Sequence, residues 1–297
     1  MLYDIIIIGG GPSGMTACLY ALRNNKRVLI LEKENFGGQI ANSPRVENYP
    51  TIKEISGLEL SDRMFEQISE MGAEFELEEV LNIKKEDNIF LIKTNYNTYE
   101  AKKVIIATGV SHRKMNLPKE EELSGKGISF CAVCDGAFYK GQETYLIGDA
   151  NTALQYALLL SNFSPKVHMI TLFDRFFGED VLIQKVLSTP NIEIVHNMNL
   201  IEYQGENELE GLVFENTQDN TRHEYKTNNV FIAIGQIPHN EIFADLVDLE
   251  RGFIITNDKM ETKTKGLYAV GDCRKKDIRQ VITACNDGAI AALEAFK

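Results

Sequence analysis

A short β-branched run, a glycine turn and an amphipathic helix follow one another at two places in the chain. The first copy is Tyr3–Ile8, then Gly9-Gly10-Gly11-Pro12-Ser13-Gly14, then a helix to about Asn24, with a second strand at Arg27–Leu31 ending in Glu32. The second copy is Glu143–Ile147, a turn from Gly148, a helix to about Ser161 and the strand Lys166–Thr171. Repeated βαβ content predicts a doubly wound parallel sheet, used twice. Between the copies the pattern gives a helix over about Leu58–Met71, several short strands and the run Lys103–Thr108, closed by Gly109. The C-terminal part holds Gly266–Val270, the pair Gly271-Asp272 and a last helix from about Val281.

The expected class is therefore α/β, with two nested dinucleotide-binding, Rossmann-like domains. The second, near residues 114–244, is inserted into a first made of residues 1–113 and 245–297. The expected joints, Ser111–Pro118 and Gly235–Asn240, carry the turn-prone residues a domain joint needs.

Composition narrows the classes. An apolar fraction of 44% and a charged fraction of 25% are those of an ordinary water-soluble globular chain. A net charge of −12 argues against nucleic acid or an anionic membrane surface as partner. No window approaches the roughly 18 apolar residues of a membrane span. Met1 leads straight into the first strand without the pattern of a signal peptide, so a cytoplasmic location is expected. Five cysteines, an odd number, do not read as a secreted disulfide framework.

The first glycine turn has the strand-before, helix-after context that gives Gly9-x-Gly11-x-x-Gly14 its meaning. Gly9 permits the tight turn, Gly11 lets backbone approach a pyrophosphate, and Gly14 lets helix and strand pack closely. Pro12 and Ser13 open the helix, whose free N–H groups and positive dipole end suit phosphate. Glu32, at the end of the second strand, can accept both hydroxyls of a ribose. Nothing in this motif separates FAD from NAD.

Cys131-Ala132-Val133-Cys134 spaces two cysteines so that they can close a small reducible ring at a helix start. Asp135 follows at once, where a carboxyl group can shuttle the proton that thiol–disulfide exchange requires. The competing use of such a pair, half a zinc site, needs a second Cys or His pair at ligand spacing. Cys18 lies in the first helix, Cys273 and Cys285 are twelve positions apart, and the histidines do not pair. No metal is expected, and the three single cysteines read as small buried residues.

Gly37-Gly38-Gln39, Val46-Glu47-Asn48-Tyr49-Pro50, Ala107-Thr108-Gly109, the Cys131–Gly136 segment, Gly271-Asp272 and Arg279-Gln280-Val281 follow Gly9–Gly14 in that order. Together they resemble the low-molecular-weight thioredoxin reductases over the whole chain. The resemblance implies FAD in the first domain, with Gly38, Gln39 and Asn48 lining the flavin and Thr108 and Gly109 in the cofactor site. Gly271 and Asp272 would meet the ribityl-phosphate region, and Arg279, Gln280 and Val281 would close over the isoalloxazine. It further implies that Cys134 lies against the flavin, that Cys131 attacks thioredoxin and that Asp135 protonates the leaving thiolate. A homodimer is also implied.

The second glycine turn departs from that family's pattern. It reads Gly148-Asp149-Ala150-Asn151-Thr152-Ala153, with Ala150 at the central glycine position and a carboxylate beside it. Where NADPH-dependent members carry His-Arg-Arg and a further arginine, this chain has Thr171-Leu172-Phe173 and Phe177. Each missing charge-assisted contact is worth about 1.5–3 kcal/mol, so NADPH is not expected as donor. The chain resembles the subgroup that takes electrons from reduced ferredoxin. An acidic ferredoxin would need a local basic patch on this acidic chain, for which Arg274-Lys275-Lys276 with Arg279 is the candidate. An NAD(P)H-dependent thioredoxin reductase, most readily one using NADH, and a flavin-dependent dithiol oxidase stay open as alternatives.

Overall fold

The computed structural model describes residues 1–43 and 46–297. The chain forms two compact units, one of residues 1–111 and 237–297, the other of residues 112–236.

In the first unit the sheet runs Glu74–Leu77, Val28–Glu32, Leu2–Ile8, Thr98–Ile106, Ile89–Thr94 and Val80–Glu86. The first four strands are mutually parallel, and the last two return as an antiparallel meander. Leu267–Ala269 adds in parallel to the C-terminal half of Thr98–Ile106. Ile6 and Ile8 pack on one face with Leu29, Leu31, Val104 and Ile106, while Ile5 and Ile7 pack on the other with Val28, Ile30 and Ile105. Burial on both faces is why these strands are continuous apolar runs rather than alternating ones. The helices Pro12–Arg23 and Val281–Glu294 pack together on the second face. A side chain at Gly288 would stand 2.2 Å from the Ser13 carbonyl, so glycine sets how closely they cross.

The second unit repeats the plan. Its parallel sheet runs Ile192–Val195, Val167–Ile170, Thr144–Ile147, Val230–Ile232 and Ile128–Ser129. The helix Asn151–Leu160 covers one face, and an antiparallel meander of Met198–Gln204, Gly211–Asn216 and Arg222–Lys226 packs on the other. In both units the third, second and first strands of the nucleotide-type fold lie in that order, with a later parallel strand on the other side of the first, Thr98–Ile106 in one unit and Val230–Ile232 in the other. The crevice at the C-terminal edge of the first strand is therefore the switch point where such sheets bind ligands.

The second crossing of the chain falls at 236/237 rather than at 244/245. Residues 237–244 belong to the first unit because Phe243, fully buried, packs with Val80, Ile83, Phe90 and Val247 in its core. Asn240, also fully buried, donates to the carbonyls of Gly252 and Cys273 of the same unit.

Candidate functional site

The first glycine turn is built as its spacing requires. Gly9 has φ +112°, and a Cβ there would lie 2.3 Å from the Ala107 carbonyl oxygen across the crevice between the first strand and Thr98–Ile106. A Cβ on Gly14 would lie 2.0 Å from the Gly9 oxygen, so helix and strand touch backbone to backbone. Gly11 differs. Nothing stands within 4 Å of where its side chain would be, and no side chain caps the helix it precedes. That leaves open space in front of free N–H groups, the arrangement a phosphate needs. Glu32 Oε2 accepts from the Gly10 amide at 2.7 Å and Oε1 accepts from the Glu34 amide at 3.0 Å. The carboxylate is therefore fixed in place at the end of its strand.

Around this turn the structure gathers other residues singled out from the sequence. Gly38, at φ +57°, has its open side 3.4 Å from the Gly11 Cα, and Gln39 follows it in the 3-10 turn Gly38–Asn42. Asn48 donates to the Gln280 side chain at 3.1 Å, and Gln280 caps the last helix, where Val281 packs against the Val46, Ile55 and Leu60 cluster. Thr108 meets Asn240 at 3.3 Å, Gly109 stands at φ +64° with no neighbour over its open side, and Gly271, at φ +72°, sits against Ser13. Arg279 lies over the Phe253 ring at 4.4 Å and donates to the Asp272 carbonyl at 3.4 Å. Asp272 itself carries a buried Oδ1 with no hydrogen-bond partner, and burial pushes its carboxyl above the usual range. A buried acceptor without a donor costs about 1–3 kcal/mol unless a ligand hydroxyl or water satisfies it. The open cradle at Gly11 and the unpaired oxygen of Asp272 therefore fit a dinucleotide with a polyol arm.

The basic stretch proposed from sequence as a docking patch is not one. Arg274 donates from Nε and Nη2 to the two carboxylate oxygens of Asp287 at 2.8 and 3.1 Å, and Lys276 donates to the same group at 2.8 Å. Asp287 is 2% exposed, Arg274 16% and Lys276 9%, so these charges are spent inside the first unit. Lys275 pairs with Glu250, and Arg279 stacks on Phe253. Asp287 Oδ2 also accepts from the Gly271 amide at 3.1 Å, which ties the last helix to the Gly271-Asp272 turn. Sequence reading missed Asp287. The only signal was a carboxylate at the middle of a helix rich in small and apolar residues.

In the second unit Cys131 and Cys134 are joined as a disulfide with Cα atoms 5.3 Å apart. Cys131 is the N-cap of the one-turn helix Ala132–Asp135, and its sulfur accepts from the Cys134 amide at 3.2 Å. Asp135 accepts from the Ser129 hydroxyl at 2.6 Å, while its other oxygen is buried and unpartnered. Burial raises its carboxyl, and the Ser129 bond offsets part of that rise. Cys18, Cys273 and Cys285 are buried free thiols, pushed up by burial, to about 12 for Cys18 and about 11 for Cys273. Such thiols are poor nucleophiles at neutral pH.

The second glycine turn keeps the backbone form of the first. Gly148, at φ +149°, faces the Ala233 carbonyl oxygen at 2.5 Å from its would-be Cβ, as Gly9 faces Ala107. Ala150 takes the place of Gly11 before the helix Asn151–Leu160. Burial raises the carboxyl of Asp149 beside it. Leu172, Phe173 and Phe177 are 43%, 49% and 51% exposed, with the two rings edge to face at 5.3 Å and Arg175 over Phe177. Asn151 and Glu179 exchange two hydrogen bonds that hold this loop to the helix start.

A dithiol pair in one nucleotide-type fold, with a phosphate cradle and an unpaired buried carboxylate in another, defines a flavin-linked disulfide oxidoreductase. Residues 3–288 match the family described as pyridine nucleotide-disulphide oxidoreductase. A thioredoxin reductase of Bacillus subtilis (strain 168) is 40% identical over 293 residues, covering 98% of this chain and 93% of that protein. The crystal structure of thioredoxin reductase from Streptococcus pyogenes MGAS5005 is 36% identical with a TM-score of 0.95, covering 99% of this chain and 97% of that one. The thioredoxin reductase from Giardia duodenalis is 30% identical with a TM-score of 0.93, covering 99% and 98%. The chain belongs to the low-molecular-weight thioredoxin reductase family, whose members are FAD-binding flavoproteins. Among the described residues no helix is long and apolar enough to cross a membrane.

Proposed function

We propose that this chain, acting in the cytoplasm as a homodimer, reduces the disulfide of thioredoxin through Cys131 and Cys134, with FAD in the first unit. The observation that carries the reading is the closed Cys131–Cys134 ring at a helix start with the raised carboxyl of Asp135 directly after it. FAD would be held by the Gly9–Gly14 turn, Glu32, Gly38, Gln39, Asn48, Thr108, Gly109, Gly271, Asp272 and the Arg279-Gln280-Val281 segment. When bound, it supplies a ring that accepts electrons singly or in pairs and passes a pair to a disulfide.

The chain's own residues then do the exchange. In the reduced protein the Cys131 thiolate attacks one sulfur of the thioredoxin disulfide. That S–S bond breaks, a mixed disulfide forms and the leaving thiolate takes the proton of Asp135. The Cys134 thiolate next attacks Cys131, closing the internal disulfide and releasing the second thioredoxin thiolate, which is protonated from solvent. Thioredoxin gains two electrons and the dithiol loses two.

For the donor, reduced ferredoxin is favoured over NADPH. Its support is the exposed apolar group Leu172, Phe173 and Phe177 where a 2′-phosphate would need cations, together with Ala150 and Asp149 at the turn. The internal pairing of Arg274 and Lys276 removes the docking patch first put forward, so a ferredoxin would dock elsewhere. A second reading, NADH as donor, draws on the preserved Gly148–Ala233 approach and the helix start without a side-chain cap at Ala150. Anaerobic addition of NADPH, NADH or photoreduced ferredoxin to the purified yellow protein separates these. Flavin bleaching by ferredoxin alone is expected, and rapid bleaching by micromolar NADPH would refute the donor assignment.

A further inference from the structure

We propose that Ser129 is a positioning residue that places the transferable proton of Asp135 on Oδ1, the oxygen facing no protein donor. The inference rests on the reading of Asp135 as the acid of the exchange.

Ser129 ends the strand Ile128–Ser129, two residues before the first cysteine, and is 6% exposed. Its hydroxyl oxygen accepts from the Cys131 amide at 3.1 Å, and its hydroxyl proton goes to Asp135 Oδ2 at 2.6 Å. Because Cys131 N–H already points at the oxygen, the hydroxyl proton is directed away, and Asp135 Oδ2 is the acceptor the structure gives it. An oxygen that accepts this short bond is a poor place for a second proton. The proton of the neutral acid therefore belongs on Oδ1, which is buried and has no hydrogen-bond partner. A buried carboxyl oxygen with nothing to donate to costs free energy at rest. It is satisfied when a thiolate arrives beside it.

The same hydroxyl sets how acidic the group is. Burial raises the Asp135 carboxyl and the Ser129 bond lowers it, because that bond favours the charged form. Ser129 thus limits how far burial raises the carboxyl, so that the acid does not become too weak to give up its proton.

The test uses FAD-loaded protein reduced anaerobically with one equivalent of dithionite, then mixed with oxidised thioredoxin across a pH series. A parallel series uses Ellman's disulfide, whose leaving thiolate is stable without a proton. Ser129→Ala should move the alkaline limb of the thioredoxin rate upward by about one pH unit, since the loss of a hydrogen bond to a charged group is felt on that scale. It should lower the acid-side plateau roughly tenfold, as expected when an acid is no longer held in place. With Ellman's disulfide its rate should stay within about twofold of the unsubstituted protein, because no proton is transferred to the leaving group. Ser129→Thr, which keeps the hydroxyl, should restore the limb. Equal losses with both disulfides and an unmoved limb, in a variant with unchanged flavin absorbance and circular dichroism, would overturn the inference. Asp135→Asn separates the two levels of the reading. If it removes the alkaline limb while Ser129→Ala leaves it in place, only Ser129 is wrongly assigned. If Asp135→Asn leaves the limb as it was, the acid itself is wrongly assigned, and the role of Ser129 falls with it.

Discussion

Arg274 and Asp287 meet fork to fork inside the first unit, with Nε to Oδ2 at 2.8 Å and Nη2 to Oδ1 at 3.1 Å. Asp287 also holds the Gly271 amide, so one carboxylate on the last helix fixes the turn that carries Asp272. Removing one partner of such a pair leaves uncompensated charge and costs about 3–5 kcal/mol. Asp287→Ala is expected to lower the unfolding free energy by that amount and to release FAD on gel filtration, both read against the unsubstituted protein in denaturant titrations. Unchanged stability with FAD retained would show that the clamp is incidental.

The same group predicts acid sensitivity. Burial pushes the Asp287 carboxyl up, but the hydrogen bonds from Arg274 and Lys276 outweigh it and hold the group below the usual range. A carboxyl held low in the folded state contributes stability above its unfolded pKa of about 3.9, and that contribution is lost as pH falls through the folded value. The melting temperature should therefore fall more steeply below about pH 4 in the unsubstituted protein than in Asp287→Asn. Parallel curves for the two proteins would contradict this.

The glycines of the first turn should separate by mechanism. Gly14→Ala places a methyl 2.0 Å from the Gly9 oxygen and is expected to destabilise even the flavin-free protein, by about 2 kcal/mol or more as overpacking does. Gly11→Ala meets no atom within 4 Å and should leave the flavin-free melt within about 0.5 kcal/mol while weakening FAD binding at least tenfold. Flavin titration by fluorescence quenching reads the difference. Equal FAD affinity in Gly11→Ala would remove the cradle from the site.

Cys134→Ser should keep FAD and lose disulfide reduction by at least a thousandfold, since without the second thiol the mixed disulfide cannot resolve. The readout is the accumulation of a covalent complex between Cys131 and thioredoxin on a non-reducing gel. Full turnover in this variant would overturn the assignment of the pair.

The donor side predicts a gain. Ala150→Gly with Leu172→Arg and Phe173→Arg opens the turn and restores two cations at the strand end. Two charge-assisted contacts of about 1.5–3 kcal/mol each should tighten NADPH binding by at least a hundredfold. Isothermal titration with NADPH measures it. No gain would mean that Ala150, Leu172 and Phe173 are not what excludes the 2′-phosphate.

Both glycine turns, the strands before them and the dithiol with its aspartate were legible in the sequence, because each is a local matter. Gly9 and Gly14 are needed by backbone atoms within a few residues or on the neighbouring strand, and Cys131 and Cys134 reach each other across one helical turn. What the tertiary structure decided was where charges go. Arg274 and Lys276 read as a surface cluster until the last helix brings Asp287 against them, thirteen and eleven positions along the chain. The end of the inserted unit was likewise set by Phe243 burying itself among strands some 150 residues earlier, a long-range packing choice with no local mark. A turn depends on the few residues that make it, whereas the partner of a charge or an aromatic ring is chosen by how the layers pack.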